Sequence, residues 1–290
     1  MFDEVSEELE MSYRPSKLLV LRSLRRLKGT WVKENYKADV NLLYEGNALL
    51  HLVCEEGSTD FLEVLLNCEK CDVNIADSHG MTALHIAAAI GYTEIMELLI
   101  LNCDINLCDS NNQTPLCLAI QNYQKPCFEL LISCGCDIDI CNLDGQTSLH
   151  IACITGHVDI VEIILNTNRC DIDKSDKNRN SPFAIACEHG CKDIVERLIL
   201  NKCDINTVNI FGHSPLHIAV RRDDIEIVQT LIESGCDINL CNANKQTPLF
   251  CACEMGICSV VQLLLNKGCD ANICNSDGLT PLDIAKANGF

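Results

Sequence analysis

Gly80-Met81-Thr82-Ala83-Leu84-His85-Ile86-Ala87 decides the fold, because it comes back. It returns as Gly145-Gln146-Thr147-Ser148-Leu149-His150-Ile151-Ala152 and as Gly212-His213-Ser214-Pro215-Leu216-His217-Ile218-Ala219. A last copy reads Gly278-Leu279-Thr280-Pro281-Leu282-Asp283-Ile284-Ala285. Weaker copies start at Gly46, Asn112, Arg179 and Lys245. The eight starts, at 46, 80, 112, 145, 179, 212, 245 and 278, lie 34, 32, 33, 34, 33, 33 and 33 residues apart. A fixed period of this length marks a stack of repeated units, each packing on its neighbours.

Each unit carries the same physical instructions. A hydroxyl before proline (Thr114-Pro115, Ser181-Pro182, Thr247-Pro248) predicts a helix start, with the hydroxyl as N-cap and Pro at the first helical position. Gly91, Gly156, Gly190 and Gly256 then predict its end, because glycine adopts the left-handed conformation that closes a helix. A second amphipathic helix follows, as in Ile160-Val161-Glu162-Ile163-Ile164-Leu165. Cys-Asp-Ile-Asn and a polar turn lead into the next unit.

This pattern closely resembles the ankyrin repeat, a β-turn and two helices over 33 residues with a T-P-L-H-x-A signature. The resemblance covers residues 46–290, as about eight repeats with the last cut short. It implies an all-α solenoid: an L-shaped stack of helix pairs whose turns project sideways to form a concave face. Departures fall at Asn112, Arg179 and Lys245 in the turn-glycine position, and at Tyr123 and Pro126 around the loop between helices of the third unit. Arg and Lys adopt positive φ at some cost, so slightly altered turns are expected there.

Residues 1–45 read as an acidic tail followed by a basic amphipathic helix. Val20, Leu24, Leu27 and Trp31 share a stripe, with Arg22, Arg25 and Arg26 off it. This segment is expected to cap the first repeat, or to be a degenerate repeat itself, since Ala38-Asp39-Val40-Asn41 copies the tail of a unit. At the other end, the eighth unit stops after its first helix, which reads as a fragment of a longer chain with an effector region past Phe290.

The chain has 22 Lys+Arg against 41 Asp+Glu, a net charge of −19. That balance opposes binding of a phosphate backbone and favours a partner with a basic surface. No apolar run is long enough to span a bilayer, and the acidic start Met1-Phe2-Asp3-Glu4 fits neither a secretory signal nor a mitochondrial presequence. The expected location is intracellular and cytoplasmic.

The 22 cysteines pose a metal or redox alternative. Pairs such as Cys103/Cys108, Cys136/Cys141, Cys236/Cys241 and Cys269/Cys274 each sit in their own unit. Packed helices stand roughly 8–10 Å apart, too far for pairs in adjacent units to share one zinc ion. In the ankyrin family the positions of Cys54, Cys153, Cys187, Cys253, Cys103, Cys136, Cys203, Cys236 and Cys269 usually hold Ala, so these thiols are expected to pack as small apolar groups. His51, His85, His150 and His217 recur with the unit, which points to backbone bonding rather than catalysis. No phosphate loop, zinc-protease motif or nucleophile elbow is present in the sequence. No catalytic residue, cofactor or metal site is therefore expected.

The expected activity is recognition of another protein, as a scaffold or adaptor. The alternatives are the substrate-targeting arm of a larger enzyme or ubiquitin-ligase adaptor, and a thiol-rich metal or redox protein. By resemblance, ligands contact the turn tips and the exposed ends of the first helices. The candidate residues are His79, Met81 and Ile90 in unit two, Gln113 and Asn122 in unit three, and Asp144 and Gln146 in unit four. Further along they are Lys177 and His189 in unit five, Ile210, Phe211, His213, Arg221 and Arg222 in unit six, and Met255 in unit seven. The sixth unit stands out, because aromatic and Arg residues dominate binding hot spots. Its alternative is that Phe211 folds back on a neighbouring turn. Thiol titration of the unreduced protein in denaturant should count 22 free thiols; a deficit, or metal co-purifying in stoichiometric amount, would favour the thiol-chemistry alternative.

Overall fold

The computed structural model describes residues 40, 41, 43 and 46–290. The expected cap at 1–45 lies almost wholly outside the described residues. Within them the regular elements are fifteen short helices, seven pairs and one single. The pairs are α1 (Leu49–Glu56) with α2 (Thr59–Leu66), α3 (Ala83–Ile90) with α4 (Thr93–Ile100), and α5 (Pro115–Gln121) with α6 (Lys125–Ser133). Next come α7 (Ser148–Thr155) with α8 (Val158–Asn166), and α9 (Pro182–His189) with α10 (Lys192–Leu200). The last are α11 (Pro215–Arg221) with α12 (Ile225–Glu233), α13 (Pro248–Met255) with α14 (Cys258–Asn266), and α15 (Pro281–Asn288) alone. First helices stack on first helices and second on second, with the first-helix layer in closer contact.

The helix starts follow the sequence signals. Ser181 Oγ accepts the Ala184 N–H at 3.2 Å and Thr247 Oγ1 accepts that of Phe250 at 3.2 Å, with Pro182 and Pro248 opening their helices. In four units a buried imidazole completes the cap. The Nδ1 atom of His85 accepts the Thr82 N–H at 3.1 Å, and its Nε2 donates to the Gln113 carbonyl of the next unit at 3.0 Å. His150 and His217 repeat the arrangement toward Asn180 and Gln246, while His51 bonds the Ile75 carbonyl in the stretch that leads to the next tip. One side chain thus joins a helix start to the following turn.

The second helices bury their apolar stripes. In unit four, Ile160, Val161 and Ile164 are 0% exposed, as is Leu149 of the first helix, each side chain contributing roughly 1.5–3 kcal/mol. Cys54, Cys153 and Cys187 are also 0% exposed and lie in the same core. Burial pushes the Cys54 thiol up to about 12 and raises those of Cys153 and Cys187 further. A protonated thiol is a poor nucleophile and a poor metal ligand. Cys134, Cys241, Cys258 and Cys274 are exposed instead.

Two further ladders run the length of the described stack. At each tip a backbone N–H donates to the preceding tip, as Ser110 to the His79 carbonyl, Leu143 to Asn111, Lys177 to Asp144, Ile210 to Asn178 and Ala243 to Phe211, all at 2.9–3.0 Å. Below the tips, the Asp of each Asp-Ile-Asn triplet bonds within its own turn while the Asn reaches across. Asn74 Oδ1 accepts the Asp104 N–H at 2.8 Å, and Asn206 Oδ1 that of Asp237 at 2.8 Å. Units three and four carry Asp139 and Asp173 in place of this Asn. Asp139 Oδ2 accepts the Asp171 N–H, while its Oδ1 is buried without a hydrogen-bond partner among the described residues.

The turns at Asn112, Arg179 and Lys245 differ only slightly from the glycine turns. Their φ values are 58°, 59° and 57°, against 73–79° for Gly80, Gly145, Gly212 and Gly278. The closing bond is kept at 2.9 Å in all three. Tyr123 and Asp223, with φ of 52° and 56°, take the left-handed place that glycine holds in other loops between helices.

Two outcomes are expected. At Gly212 an added Cβ would meet the Ala243 nitrogen at 2.5 Å, whereas at Gly278 it would meet nothing within 4 Å; both have positive φ. In urea melts Gly278→Ala should therefore cost about 1–2 kcal/mol, the ordinary left-handed penalty, and Gly212→Ala clearly more. Equal losses would mean that close tip-to-tip approach does not constrain the stack. The second outcome concerns pH. Burial lowers the pKa of His51, His85 and His150, and that of His217 to about 4. The unfolded chain, with imidazoles near their ordinary pKa of about 6.5, then binds more protons than the folded one between about 4 and 6.5. Stability from these groups is full above that window and falls through it on acidification. His217→Gln should lower the urea midpoint at neutral pH and flatten its decline toward pH 4; an undiminished slope would contradict the assignment.

Candidate functional site

The tip ladder fixes the backbone from which the candidate side chains project. Within each tip an Asp or Asn carboxamide oxygen or carboxylate holds two N–H groups. Asn209 Oδ1 accepts from Phe211 and His213, both at 3.0 Å, and Asp176 Oδ1 from Asn178 at 2.8 Å and Asn180 at 2.7 Å. This is an Asx turn repeated once per unit. A tip held both internally and by its neighbour presents its side chains without ordering new backbone.

Of the candidate residues, His79, Ile90, Asn122, Asp144, Lys177, His189, Ile210, Phe211, Arg221, Arg222 and Met255 are exposed. Met81, Gln113, Gln146 and His213 are half-buried. Met81 packs against the core, and Gln146 accepts the Asn142 side-chain amide at 3.1 Å, so both belong partly to the framework.

Unit six brings three of its five candidates together. The Phe211 ring lies 6.0 Å from that of His213, which stacks 5.7 Å from His217 beneath it. Burial lowers the His213 pKa, and the positive charge of Arg221 nearby lowers it further. The charge of Arg221 thus reaches both imidazoles. Phe211 lies beside His213 of its own turn, and it stays 60% exposed next to Ile210 at 49%. Arg222 turns away: a methyl group at Gly190 would come within 3.1 Å of its guanidinium and 3.5 Å of Asp224. It sits over the α9–α10 loop.

Three cationic positions were legible in the sequence only as turn irregularities or went unremarked as charges. Arg179 and Lys245 occupy the left-handed turn position, where a side chain has nowhere to go but outward, and both are exposed. Lys177 lies two residues before Arg179 on the same tip and is exposed too. Leu101 and Leu200, 80% and 70% exposed at the ends of second helices, escaped the sequence reading because each lies next to the apolar stripe.

Among the described residues no group of three or more His, Cys, Asp or Glu comes together to hold a metal ion, and no helix is long and apolar enough to cross a membrane. The clefts are shallow and lie on the loops and second helices. One of about 410 Å³ is bounded by Gly190, Lys192, Arg222 and Asp224.

Comparison with known proteins places this geometry. The ankyrin-repeat family profile matches residues 21–109, 88–176, 167–242 and 216–290. Protein phosphatase 1 regulatory subunit 12A of Rattus norvegicus and that of Mus musculus are each 30% identical over 95 residues, 33% of this chain. The matched segment spans 9% of the length of those subunits. Among solved structures, the ankyrin repeat domain of Bcl-3, a member of the IkappaB protein family, superimposes with a TM-score of 0.68 at 26% identity. That likeness covers 72% of this chain and 95% of the Bcl-3 domain. The helix-pair stack, the repeated tips and matches across nearly the whole length lead to one assignment: the chain belongs to the ankyrin-repeat family.

Proposed function

We propose that this chain is a non-enzymatic recognition module, a scaffold or adaptor that binds another protein across its turn tips and first-helix ends. The observation that carries the reading is the exposed group at unit six. Phe211 and Ile210 keep about half or more of their surface in water on a backbone already fixed by hydrogen bonds. An exposed aromatic beside an Arg on a preorganised surface is the composition of a binding hot spot. Solenoids of this kind recognise partners along an extended concave face.

The 30% identity to a phosphatase regulatory subunit supports a variant of this reading, in which the module is the targeting arm of a larger enzyme assembly. A reducing, cytoplasmic setting suits 22 unpaired thiols. The net charge of −19 favours a partner with some basic surface.

The test is capture from lysate under reducing conditions by three immobilised forms: the intact chain, Phe211→Ala/Arg221→Ala, and a second-helix control, Glu129→Ala/Glu196→Ala. A protein kept by the intact chain and the control, and weakened several-fold or lost with the double variant, is the expected result. Equal capture by all three would move the site off unit six. Arg222→Ala alone should weaken capture less than Arg221→Ala, because its guanidinium lies over the neighbouring loop.

A further inference from the structure

Charge in this protein is segregated by layer. Among the described residues the ion pairs of Lys125 with Asp159, Lys192 with Glu226, Arg197 with Glu162 and Lys267 with Glu233 all join the second-helix layer of one unit to that of the next. These four cations are each held by an acid of an adjacent unit. The tip and first-helix side differs. Lys177, Arg179, Arg221 and Lys245 are exposed, and none forms an ion pair with any described residue. All four fall on units five to seven. By contrast, the first helices of units two to four (Ala83–Ile90, Pro115–Gln121 and Ser148–Thr155) contain no Asp, Glu, Lys or Arg at all.

A chain of net charge −19 thus leaves four cations unneutralised on one side of three consecutive units, around the exposed apolar pair Ile210 and Phe211. Acids are present nearby. Glu188 and Glu254 occupy the helix position of Arg221 in the units before and after it, roughly 8–10 Å away by helix packing distance. They impose a register. A ligand charged evenly along its length, such as a nucleic acid, meets repulsion on both sides of Arg221. A polypeptide with spaced carboxylates can place them over Arg221 and the tips of units five and seven and avoid both acids.

Resting on the recognition reading above, we propose that units five to seven bind an acidic, extended polypeptide segment. Its carboxylates pair with Lys177, Arg179, Arg221 and Lys245, and an aromatic or aliphatic residue anchors on Ile210 and Phe211. The apolar anchor supplies most of the affinity, and the charges fix register and reject wrong sequences. The length is set by the repeat: three tips at successive spacings of roughly 8–10 Å call for a strand or open chain rather than one helical turn.

The experiment is selection of a phage-displayed random-peptide library on the full chain, followed by affinity measurement with the selected peptides as synthetic probes. The expected result is enrichment of net-negative sequences that contain an aromatic or large aliphatic residue. Arg221→Glu and, separately, Lys177→Glu should each weaken the selected peptide by about tenfold or more, with unchanged helical circular dichroism, while the second-helix variant Arg197→Glu leaves it unaffected. Because Lys177 sits on an exposed tip, that variant keeps the test valid even if a change at Arg221 disturbs the imidazoles beneath it. Neutral or basic peptides that still depend on Phe211 would overturn the acidic specificity and leave recognition at unit six standing. Peptides indifferent to Phe211 and Arg221, or no enrichment, would overturn both. A single-stranded oligonucleotide that binds with the same variant sensitivity would replace the polypeptide and overturn the proposal.

Discussion

The bond from each tip to the one before it is the constraint on which this molecule depends. A backbone N–H at Ser110, Leu143, Lys177, Ile210 or Ala243 reaches the carbonyl of the preceding tip at 2.9–3.0 Å. It can do so only if the turn residue that follows keeps a left-handed φ, and that explains the spacing of the glycines better than helix packing does. At Gly80, Gly145 and Gly212 a Cβ would press on the next unit's backbone, at 2.5–2.8 Å from its nitrogen. Three units accept Asn, Arg or Lys there with φ near 58° and the bond intact. Hydrogen bonding between units therefore tolerates strain in the turn, and two of the three, with Arg179 and Lys245, place a long cationic side chain at the tip.

The core and the ladders divide the work of holding the stack. Apolar burial joins helix to helix without direction, since Leu, Ile, Val and Cys are interchangeable in volume within limits. The ladders supply direction. The imidazole of His85 or His217 accepts from its own helix start and donates to the next turn. One level below, the triplet Asn donates its N–H within its own turn and accepts at Oδ1 from the next unit. The two donors of a protonated imidazole would break this scheme at Nδ1, which must accept, and burial keeps the ring neutral. Where Asp139 replaces Asn the link is kept through Oδ2, but the second carboxylate oxygen, which can only accept, is buried without a donor among the described residues. Lys174 donates to the Asp139 carbonyl at 2.9 Å and brings a positive charge to that junction.

Tip surface and framework are separated along each unit by the same geometry. Residues whose backbone groups are bonded in both directions have side chains free to vary, and these are the tip residues. The neutral first helices of units two to four and the charged ones of units five to seven sit on one continuous scaffold. Surface chemistry changes along the stack while the frame does not, which is the property that lets one architecture serve many partners.

The sequence by itself determined the repeat, the helix starts and ends, the burial of Cys54, Cys153 and Cys187, and the periodic role of the histidines. These are local or periodic matters, set by residue type and spacing. It also marked Phe211 and Arg221 as unusual, since each departs from what other units carry in that place. Tertiary structure decided what spacing cannot express. It turned Arg222 toward the α9–α10 loop while the charge of Arg221 acts on His213 and His217, although the two are adjacent in the chain. It sent the triplet Asn across to the next unit rather than into its own turn, and left Lys177, Arg179 and Lys245 unpaired around the same apolar pair. The physical reason is that charge pairing and side-chain direction depend on neighbours about 33 residues away, brought together only when the units stack.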